Sequence, residues 1–350
     1  MILPALHKGT DGKYQARRLD VSLQDLIALR SKTIRAALEE FEPDVLIVDN
    51  VPRGAVGELN ASLESLRARG TTRCVLGLRD VLDDPVVVER EWRRAANEEA
   101  IRDFYDAVWV YGDPTVYDLT REYRLSPDVK HKVRYTGYLD QRLRLTLAEA
   151  EGVEPHAEFD FPSEPFVLCV LGGGQDGALL AEDFAAVELP PGHVGVILTG
   201  PFMSRDAQRR LHRLASPRLH ILEFITEPTL LLQRADRVIA MGGYNTTCEM
   251  LSFEKRALIV PRVRPRREQI IRAERLRDLN LIDVLHPDKL SPQALSEWLA
   301  AVPQPLPPVH DLIALDGLTR LPDLLNELLA APPVLQTLTY QESIRTHVHS

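Results

Sequence analysis

Short apolar runs alternate with longer amphipathic stretches along most of the chain, a pattern typical of strands that alternate with helices. In the amino-terminal half, apolar positions from Leu23 to Phe41 follow the helical period, and Pro43 ends the predicted helix. Helices are also predicted over 56–69, over a charged stretch that ends near Tyr105, and from Pro114 onward. Strands are predicted over four apolar runs, at 45–49, 74–78, 107–111 and 133–136.

A second series of the same kind begins at Phe166. Its predicted strands cover 166–171, 194–198, 219–222, 237–241, 257–260 and 282–285. Its predicted helices include 204–215, 245–252 and 268–279. Between Asp140 and Pro165 the periodicity fades and Glu, Pro and Ala prevail, which predicts a linker between two domains.

Strands that alternate with helices require crossover connections, so the sheets should be mainly parallel and covered on both faces. The sequence therefore predicts an α/β protein with two Rossmann-like doubly wound domains that face a cleft. The predicted domains are an amino-terminal domain over 1–140, a linker over 141–164, a carboxy-terminal domain over 165–310, and a final helix with a peripheral tail over 311–350.

Composition narrows the function classes. The formal net charge of −9 argues against a general nucleic-acid binder, because binding to nucleic acid depends on a basic surface. No apolar run reaches the roughly 18 residues that a membrane span needs, and the amino terminus lacks the pattern of a signal peptide. The three cysteines have no metal-ligand spacing, which predicts reduced thiols. We therefore expect a cytoplasmic protein without a transmembrane segment.

The first candidate site is the glycine-rich run 172–177, between a predicted strand and a predicted helix. Glycines allow a sharp turn and let a ligand approach the backbone amides. Gly172, Gly174 and Gly177 satisfy the G-x-G-x-x-G spacing, but a dinucleotide site also needs an acid at the end of the next strand. That strand ends at Thr199 and Gly200, which argues against NAD. A tight turn without a ligand is the alternative.

The second candidate site follows the strand that ends at Met241. Gly242 and Gly243 precede a predicted helix with Asn245 or Thr246 as its N-cap. Free amides and the helix dipole at such a point favour a diphosphate. Glu249 lies about one turn further on, where its carboxylate can accept hydrogen bonds from ribose hydroxyls, or be an ordinary first-turn acid.

The third candidate site is the segment 260–269, which follows another strand. Its four arginines, Arg262, Arg264, Arg266 and Arg267, suit a phosphate or an anionic acceptor, although a solvated face is equally compatible. Gln269 at the start of the next helix is a candidate for hydrogen bonds to sugar hydroxyls.

In this order, the motifs Gly-Gly-Gly-Gln-x-Gly, Glu223-Phe224-Ile225, Gly-Gly-x-Asn-Thr-x-x-Glu and Glu-Gln resemble the carboxy-terminal domain of family-28-type glycosyltransferases. The best-known member of that family is the peptidoglycan N-acetylglucosaminyltransferase. The resemblance runs from about Phe166 to Asp288 and implies a GT-B fold. It also implies roles for eleven residues: Gly173, Gly174 and Gln175 on the donor side, Phe224 and Ile225 at the base, Gly242, Gly243, Asn245 and Thr246 at the diphosphate, Glu249 at the ribose and Gln269 at the sugar.

The amino-terminal half resembles a less characterised branch of predicted glycosyltransferases, through the runs 44–49, 78–82 and 133–138. In such proteins a further strand–loop–helix unit comes first and helps to form the acceptor side. The sequence begins after that unit, so we expect an incomplete amino-terminal domain. Asp49, Arg79 and Asp80 follow apolar strands and are candidates for catalysis or acceptor binding, with caps or ion pairs as the alternative.

The resemblance implies a glycosyltransferase that moves a sugar from a nucleotide-diphosphate sugar, with UDP favoured, to a hydroxyl of a glycan, a lipid-linked or a small-molecule acceptor. It implies inversion at the anomeric carbon and neither a metal nor a cofactor. Two alternatives stay open: a nucleotide-sugar 2-epimerase of the same fold, and a nucleotide-sugar-binding protein without catalysis.

Overall fold

The computed structural model describes residues 3–8, 14–16, 21–150, 162–173, 176–225, 227–302 and 304–331. The chain divides into two compact units. The first comprises Met1–Leu76, Ala100–Ala107 and Leu324–Ser350, and the second comprises Gly77–Glu99 and Val108–Asp323. None of the helices in the described ranges is both long and apolar enough to cross a membrane. Cys74, Cys169 and Cys248 are buried free thiols.

The first unit begins with an antiparallel hairpin of β1 (Leu6–Lys8) and β2 (Tyr14–Ala16). The sequence did not predict this hairpin, because three-residue strands are too short to show a period. Helix α1 (Leu23–Phe41) follows, as predicted, and Ser22 caps it by accepting the amide of Asp25. Helix α2 covers Asn60–Arg69, and a 3₁₀ turn at Ala55–Gly57 precedes it.

Four strands predicted for the amino-terminal half form one sheet in the order β3-β4-β5-β6. β5 and β6 are parallel, with Val108 opposite Val133. Each strand lies within two residues of its predicted bounds: β3 is Val45–Asp49, β4 is Arg73–Arg79, β5 is Ala107–Tyr111 and β6 is Val133–Tyr135.

Two helix predictions in this half were wrong. The charged stretch before Tyr105 forms two helices, α3 (Pro85–Ala95) and α4 (Asn97–Phe104), because Ala96 has a φ of 50° and interrupts the helical backbone. The helix predicted from Pro114 does not form there. The Asp113 carboxylate accepts the Thr115 amide at 2.7 Å, which favours a turn. Two shorter helices follow instead, α5 (Leu119–Glu122) and α6 (Pro127–Lys132).

The second predicted series forms a six-stranded sheet in the order β12-β11-β10-β7-β8-β9, with every neighbouring pair parallel. Its strands agree with the predicted runs within two residues at each end. They are β7 (Phe166–Val170), β8 (Val194–Leu198), β9 (Leu219–Leu222), β10 (Arg237–Ala240), β11 (Arg256–Ile259) and β12 (Asp283–Val284). Every residue of β7 and β8 is buried, as expected for strands covered on both faces.

Helices cover both faces of this sheet. On one face, Leu180 and Phe184 of α8 pack with Val167 and Cys169 of β7. On the other, residues of α11 pack with Leu168 and Val170 of the same strand. The helices from the predicted linker onward are α7 (Arg142–Ala150), α8 (Ala178–Ala185), α9 (Arg205–His212), α10 (Thr229–Arg234), α11 (Tyr244–Ser252), α12 (Glu268–Asp278), α13 (Pro292–Ala300), α14 (Val309–Leu312) and α15 (Gly317–Ala330).

The segment predicted as a linker therefore contains a helix, α7, in its first part. Residues 151–161 of that segment and residues 332–350 of the predicted peripheral tail lie outside the described residues. The division into domains at 140 and 165 stays a prediction.

A buried ion pair joins the turn after β4 to helix α12. Asp80 and Arg272 are each 1% exposed, and Nη2 of Arg272 lies 2.6 Å from Oδ1 of Asp80. Nε of Arg272 donates to Oδ2 of Asp80 at 2.8 Å, and the Tyr138 hydroxyl donates to the same oxygen at 2.7 Å. Arg272 also donates to the carbonyl oxygen of Gly242 at 3.3 Å. The pair thus holds the backbone that precedes α11.

Removing one member of this pair should destabilise the protein strongly. Arg272→Met leaves the Asp80 carboxylate buried without its partner, so we expect a loss of about 3–5 kcal/mol in the free energy of unfolding. Chemical denaturation followed by circular dichroism measures this loss. The double variant with Asp80→Asn should recover part of it, because no unpaired charge then remains.

The matched control is Arg275→Met on the same helix. Arg275 pairs with Glu122, but both side chains are partly exposed. This change should cost less than about 1 kcal/mol. Equal losses for Arg272→Met and Arg275→Met would contradict the importance of the buried pair.

Candidate functional site

The order of the six-stranded sheet creates a crevice at the carboxyl end of β7. The neighbours of β7 are β8 on one side and β10 on the other, and the helices that follow β7 and β10 pack on opposite faces. In open parallel sheets, ligands bind where the strand order reverses in this way. A cavity of about 220 Å³ lies at this point. Its lining includes one aromatic residue, Phe202, together with the glycine and polar residues Gly172, Gly173, Asp176, Gly242, Gly243, Thr246, Arg262 and Gln269.

The cavity brings together residues that are far apart in the sequence but were all predicted to bind the donor. These residues are Gly173, Gly242, Gly243, Thr246 and Gln269. Gly174 and Gln175, which belong to the same prediction, lie outside the described residues. The individual role of each residue stays a prediction.

At two positions in or beside the cavity, the backbone conformation requires glycine. Gly242 has a φ of +74°, and a Cβ atom there would lie 2.7 Å from Cγ2 of Ile259. Gly200 has a φ of +81°, and a Cβ atom there would overlap the carbonyl oxygen of Gly172. Side chains are therefore excluded on steric as well as conformational grounds at both positions.

Helix α11 presents its amino terminus at the cavity. The helix begins at Tyr244 with Gly243 at the N-cap position, and within the part of the chain that the structure describes no side chain caps it. The prediction that Asn245 or Thr246 is the cap was therefore wrong. Asn245 is exposed, and Thr246 is buried at the cavity wall. An uncapped helix start offers amide donors and a partial positive charge to an anion such as a phosphate.

Glu249 lies in the second turn of α11 and is only 6% exposed, so it is not an ordinary first-turn acid. Burial raises the pKa of its carboxyl to about 7; Arg144 lowers the pKa and Glu227 raises it. Nη1 of Arg144 lies 3.9 Å from Oε1 of Glu249, while Nη2 lies 2.9 Å from Oε2 of Glu227. An arginine thus lies between two carboxylates beside α11.

The other two predicted donor residues differ in exposure. Ile225, predicted to lie against the base with its backbone, is buried. Phe224, predicted beside it, is 65% exposed.

Three of the four arginines in the segment 260–269 are neutralised by acids. Arg262 pairs with Asp176 and Glu268, Arg266 with Asp83 and Glu91, and Arg267 with Asp84. Arg264 is exposed. Three of the guanidinium groups thus have carboxylate partners within the protein, and Arg262 also lines the cavity. A role of the segment at a phosphate or an anionic acceptor stays a prediction.

The catalytic candidates are placed very differently. Both carboxylate oxygens of Asp80 take part in the buried network with Arg272 and Tyr138, so the prediction that Asp80 is available for catalysis was wrong. Arg79 is exposed, and its guanidinium carbon lies 5.8 Å from the ring centroid of Tyr244. Asp49 is exposed at the end of β3. Roles for Arg79 and Asp49 stay predictions.

The sequence analysis missed four residues at or near the site. Phe202 and Asp176 line the cavity, and Arg144 and Glu227 surround Glu249. The amide of Phe202 donates to the carbonyl oxygen of Gly173 at 2.9 Å. Phe202 lies four residues after the end of β8, at the same edge of the sheet as the glycine-rich turn. This position in the sequence could have indicated that Phe202 belongs to the site. Among the described residues, no group of three or more His, Cys, Asp or Glu side chains is arranged to hold a metal ion.

The ionisation of Glu249 should make stability depend on pH. Because its pKa is raised in the folded protein, its stabilising contribution is present below its ordinary pKa of 4.5 and is lost as the pH rises to about 7. The free energy of unfolding of Glu249→Gln should be nearly independent of this ionisation. As the pH rises from 5 to 8, it should therefore increase by about 2 kcal/mol relative to that of the wild type. Denaturation across this range measures the difference.

Glu297→Gln, at an exposed position in α13, is the control and should follow the wild type at each pH. Parallel curves for the wild type and Glu249→Gln would show that Glu249 does not titrate in this range.

Residues 167–306 match the glycosyltransferase family 28 C-terminal domain. The match includes every residue that lines the cavity. It confirms the resemblance that the order of motifs indicated. At the level of the whole sequence, no curated protein matches the chain significantly.

The fold is similar to that of several solved structures. The glycosyltransferase of kitacinnamycin has a TM-score of 0.59 at 18% identity, over 87% of this chain and 81% of its own. The calicheamicin glycosyltransferase CalG4 has a TM-score of 0.55 at 15% identity, over 90% and 83%. The UDP-GlcNAc 2-epimerase from Neisseria meningitidis, solved with UDP-GlcNAc, has a TM-score of 0.55 at 14% identity, over 90% and 78%. These likenesses confirm the predicted α/β fold of the GT-B class.

Proposed function

From its GT-B fold and its family-28-type glycosyltransferase C-terminal domain, we propose that the protein is a hexosyltransferase that uses a nucleotide-diphosphate sugar. The observation that carries the proposal is the cavity at the carboxyl end of β7. It joins the uncapped start of α11 to a glycine-rich turn inside the matched domain. Such an arrangement suits a diphosphate that has a group on each side.

The proposed donor lies across the start of α11. Its diphosphate accepts hydrogen bonds from the first-turn amides near Gly243 and Thr246. The nucleoside extends toward Ile225 and Glu249, and the sugar extends toward Gln269. Glu249 then accepts hydrogen bonds from the ribose hydroxyls, for which the ionised carboxylate is the better acceptor. UDP is the nucleotide that we favour, and the epimerase neighbour solved with UDP-GlcNAc motivates it as the first donor to test.

The proposed transfer inverts the anomeric carbon and needs no metal ion. An acceptor hydroxyl attacks C1 of the sugar while the bond to the diphosphate breaks. The helix amides and dipole stabilise the charge that develops on the leaving diphosphate. A base takes the proton of the acceptor. Asp49 stays a candidate for that base on sequence grounds alone. The acceptor is a hydroxyl of a glycan, a lipid-linked or a small molecule.

A nucleotide-sugar 2-epimerase is the second candidate. Elimination and re-addition of the nucleotide need acids and bases near the sugar, and Asp176 provides one carboxylate at the cavity, paired with Arg262. Incubation of UDP-GlcNAc without an acceptor distinguishes the two activities. Formation of UDP-ManNAc supports the epimerase, and its absence together with transfer to an added acceptor supports the transferase. Binding without either reaction supports a non-catalytic binding protein.

Calorimetric titration with UDP-, GDP- and dTDP-sugars tests the donor site. We expect one nucleotide to bind most tightly and Glu249→Ala to weaken it by about 10- to 100-fold, because two charge-assisted hydrogen bonds to the ribose are lost. Glu249→Gln, which keeps one acceptor oxygen, should bind with intermediate affinity. Glu297→Ala, on the exposed side of α13, serves as the control.

Circular dichroism must show that each variant is folded. A folded wild-type chain that binds none of these nucleotides would overturn the proposed donor site. Equal affinity of the wild type and Glu249→Ala would overturn the role of Glu249 alone.

A further inference from the structure

Arg262 lines the cavity at the carboxyl end of β7, and its guanidinium lies between two acids. Nη1 lies 3.0 Å from Oδ2 of Asp176, and Nη2 lies 2.6 Å from Oε1 of Glu268. The two acids differ in exposure, since the side chain of Glu268 is 21% exposed and that of Asp176 is 47% exposed. The bond to Glu268 is therefore the shorter and the more enclosed of the two, and the bond to Asp176 is the one that solvent reaches.

The same cavity contains the start of α11. Gly243 and Thr246 line it together with Asp176 and Arg262. Because the cavity measures only about 220 Å³, a diphosphate that accepts from the amides of α11 also reaches the wall that Arg262 forms. Carboxylate and phosphate oxygens both accept charge-assisted hydrogen bonds from a guanidinium. The place of Asp176 on Arg262 is therefore one that a phosphate can take.

The exposure of Asp176 favours such an exchange. A partly exposed ion pair contributes little to stability, so a ligand that separates it loses little. A phosphate offers the guanidinium more acceptor oxygens than one carboxylate does. Asp176 can then turn toward solvent, while the enclosed bond to Glu268 keeps the guanidinium in its orientation. The two acids of Arg262 thus suit different tasks, one as a fixed support and one as a partner that can be replaced.

We propose that the diphosphate of the donor replaces the Asp176 carboxylate at Nη1 of Arg262, while Glu268 retains Nη2. The inference rests on the proposed function, in which the diphosphate binds at the start of α11. Arg262 then adds a side-chain cation to the amides that stabilise the leaving diphosphate. Asp176 competes with the nucleotide for this cation, which lowers the affinity for donor and product alike and favours product release.

Other charged residues nearby do not contact Arg262. Arg264, Arg267 and Glu274 line an adjacent cavity of about 830 Å³, which shares Asp176 and Arg262 with the first one. Arg267 is paired with Asp84 at 3.0 Å. Arg264 and Glu274 are both exposed. Glu274 therefore provides a matched control, because it is an acid close to Arg262 without being its partner.

Calorimetric titration with UDP tests the competition. Asp176→Asn removes the competing charge and keeps the shape of the side chain, so UDP should bind about two- to fivefold more tightly than to the wild type. Arg262→Gln removes the cation and should weaken binding about tenfold. Arg262→Lys keeps the charge but not the planar fork that binds two partners at once, so its affinity should lie between those of the wild type and Arg262→Gln.

Glu274→Gln should keep the wild-type affinity, and circular dichroism must show that each variant is folded. An affinity of Asp176→Asn that is equal to or lower than that of the wild type would overturn the inference. The same gain in Glu274→Gln as in Asp176→Asn would also overturn it, because general repulsion between acids and phosphate would then explain the effect.

A crystal structure of the complex with UDP identifies the partner of Arg262 directly. We expect a phosphate oxygen within hydrogen-bond distance of Nη1 and the Asp176 carboxylate turned away from it. A bound diphosphate beside an unbroken bond between Asp176 and Nη1 would refute the exchange and leave the donor site intact. If neither the folded wild type nor Asp176→Asn binds UDP, the proposed donor site itself is wrong, and the inference is lost with it.

Discussion

The position of the candidate site depends on the buried pair of Asp80 and Arg272. A charge that is enclosed in a protein interior is tolerated only with a close partner of opposite sign, so the turn after β4 and the helix α12 must meet in one geometry. Arg272 also donates a hydrogen bond to the carbonyl oxygen of Gly242. Gly242 directly precedes Gly243, the N-cap residue of α11. The direction in which α11 presents its amides is therefore linked to the carboxylate of Asp80, which lies 192 residues before Arg272 in the chain.

Two arginines near this point each lie between two acids. Arg144 lies between Glu227 and Glu249, and Arg262 lies between Asp176 and Glu268. At the cavity, where Arg262 is paired with two acids, the backbone amides at the start of α11 add a partial positive charge. Backbone dipoles cannot lose a proton or change rotamer, so an anion at this point meets a fixed field.

The strands could be predicted closely because strands covered on both faces form continuous apolar runs that local turns interrupt, as in β7 and β8. The glycine motifs could also be placed at strand ends, and their order indicated the family. The partners of Asp80 and of the arginines in 260–269 could not be predicted. Arg267 meets Asp84, and Arg266 meets Asp83, through the tertiary fold alone. A local hydrogen bond explains why no helix begins at Pro114. The Asp113 carboxylate accepts the amide of Thr115 and favours a turn there.

The pair of Asp80 and Arg272 also restricts how this protein can recombine with its relatives. Arg272 lies inside the segment that matches the family domain, and Asp80 lies outside it. A chimera that receives only the matched segment from this chain would enclose a guanidinium without its carboxylate, unless the recipient happens to supply an acid at the equivalent turn. The matched segment and the preceding part of the chain are therefore compatible only if they supply both members of this ion pair. A functional exchange of the matched domain would therefore carry both residues or meet an acid already present in the recipient.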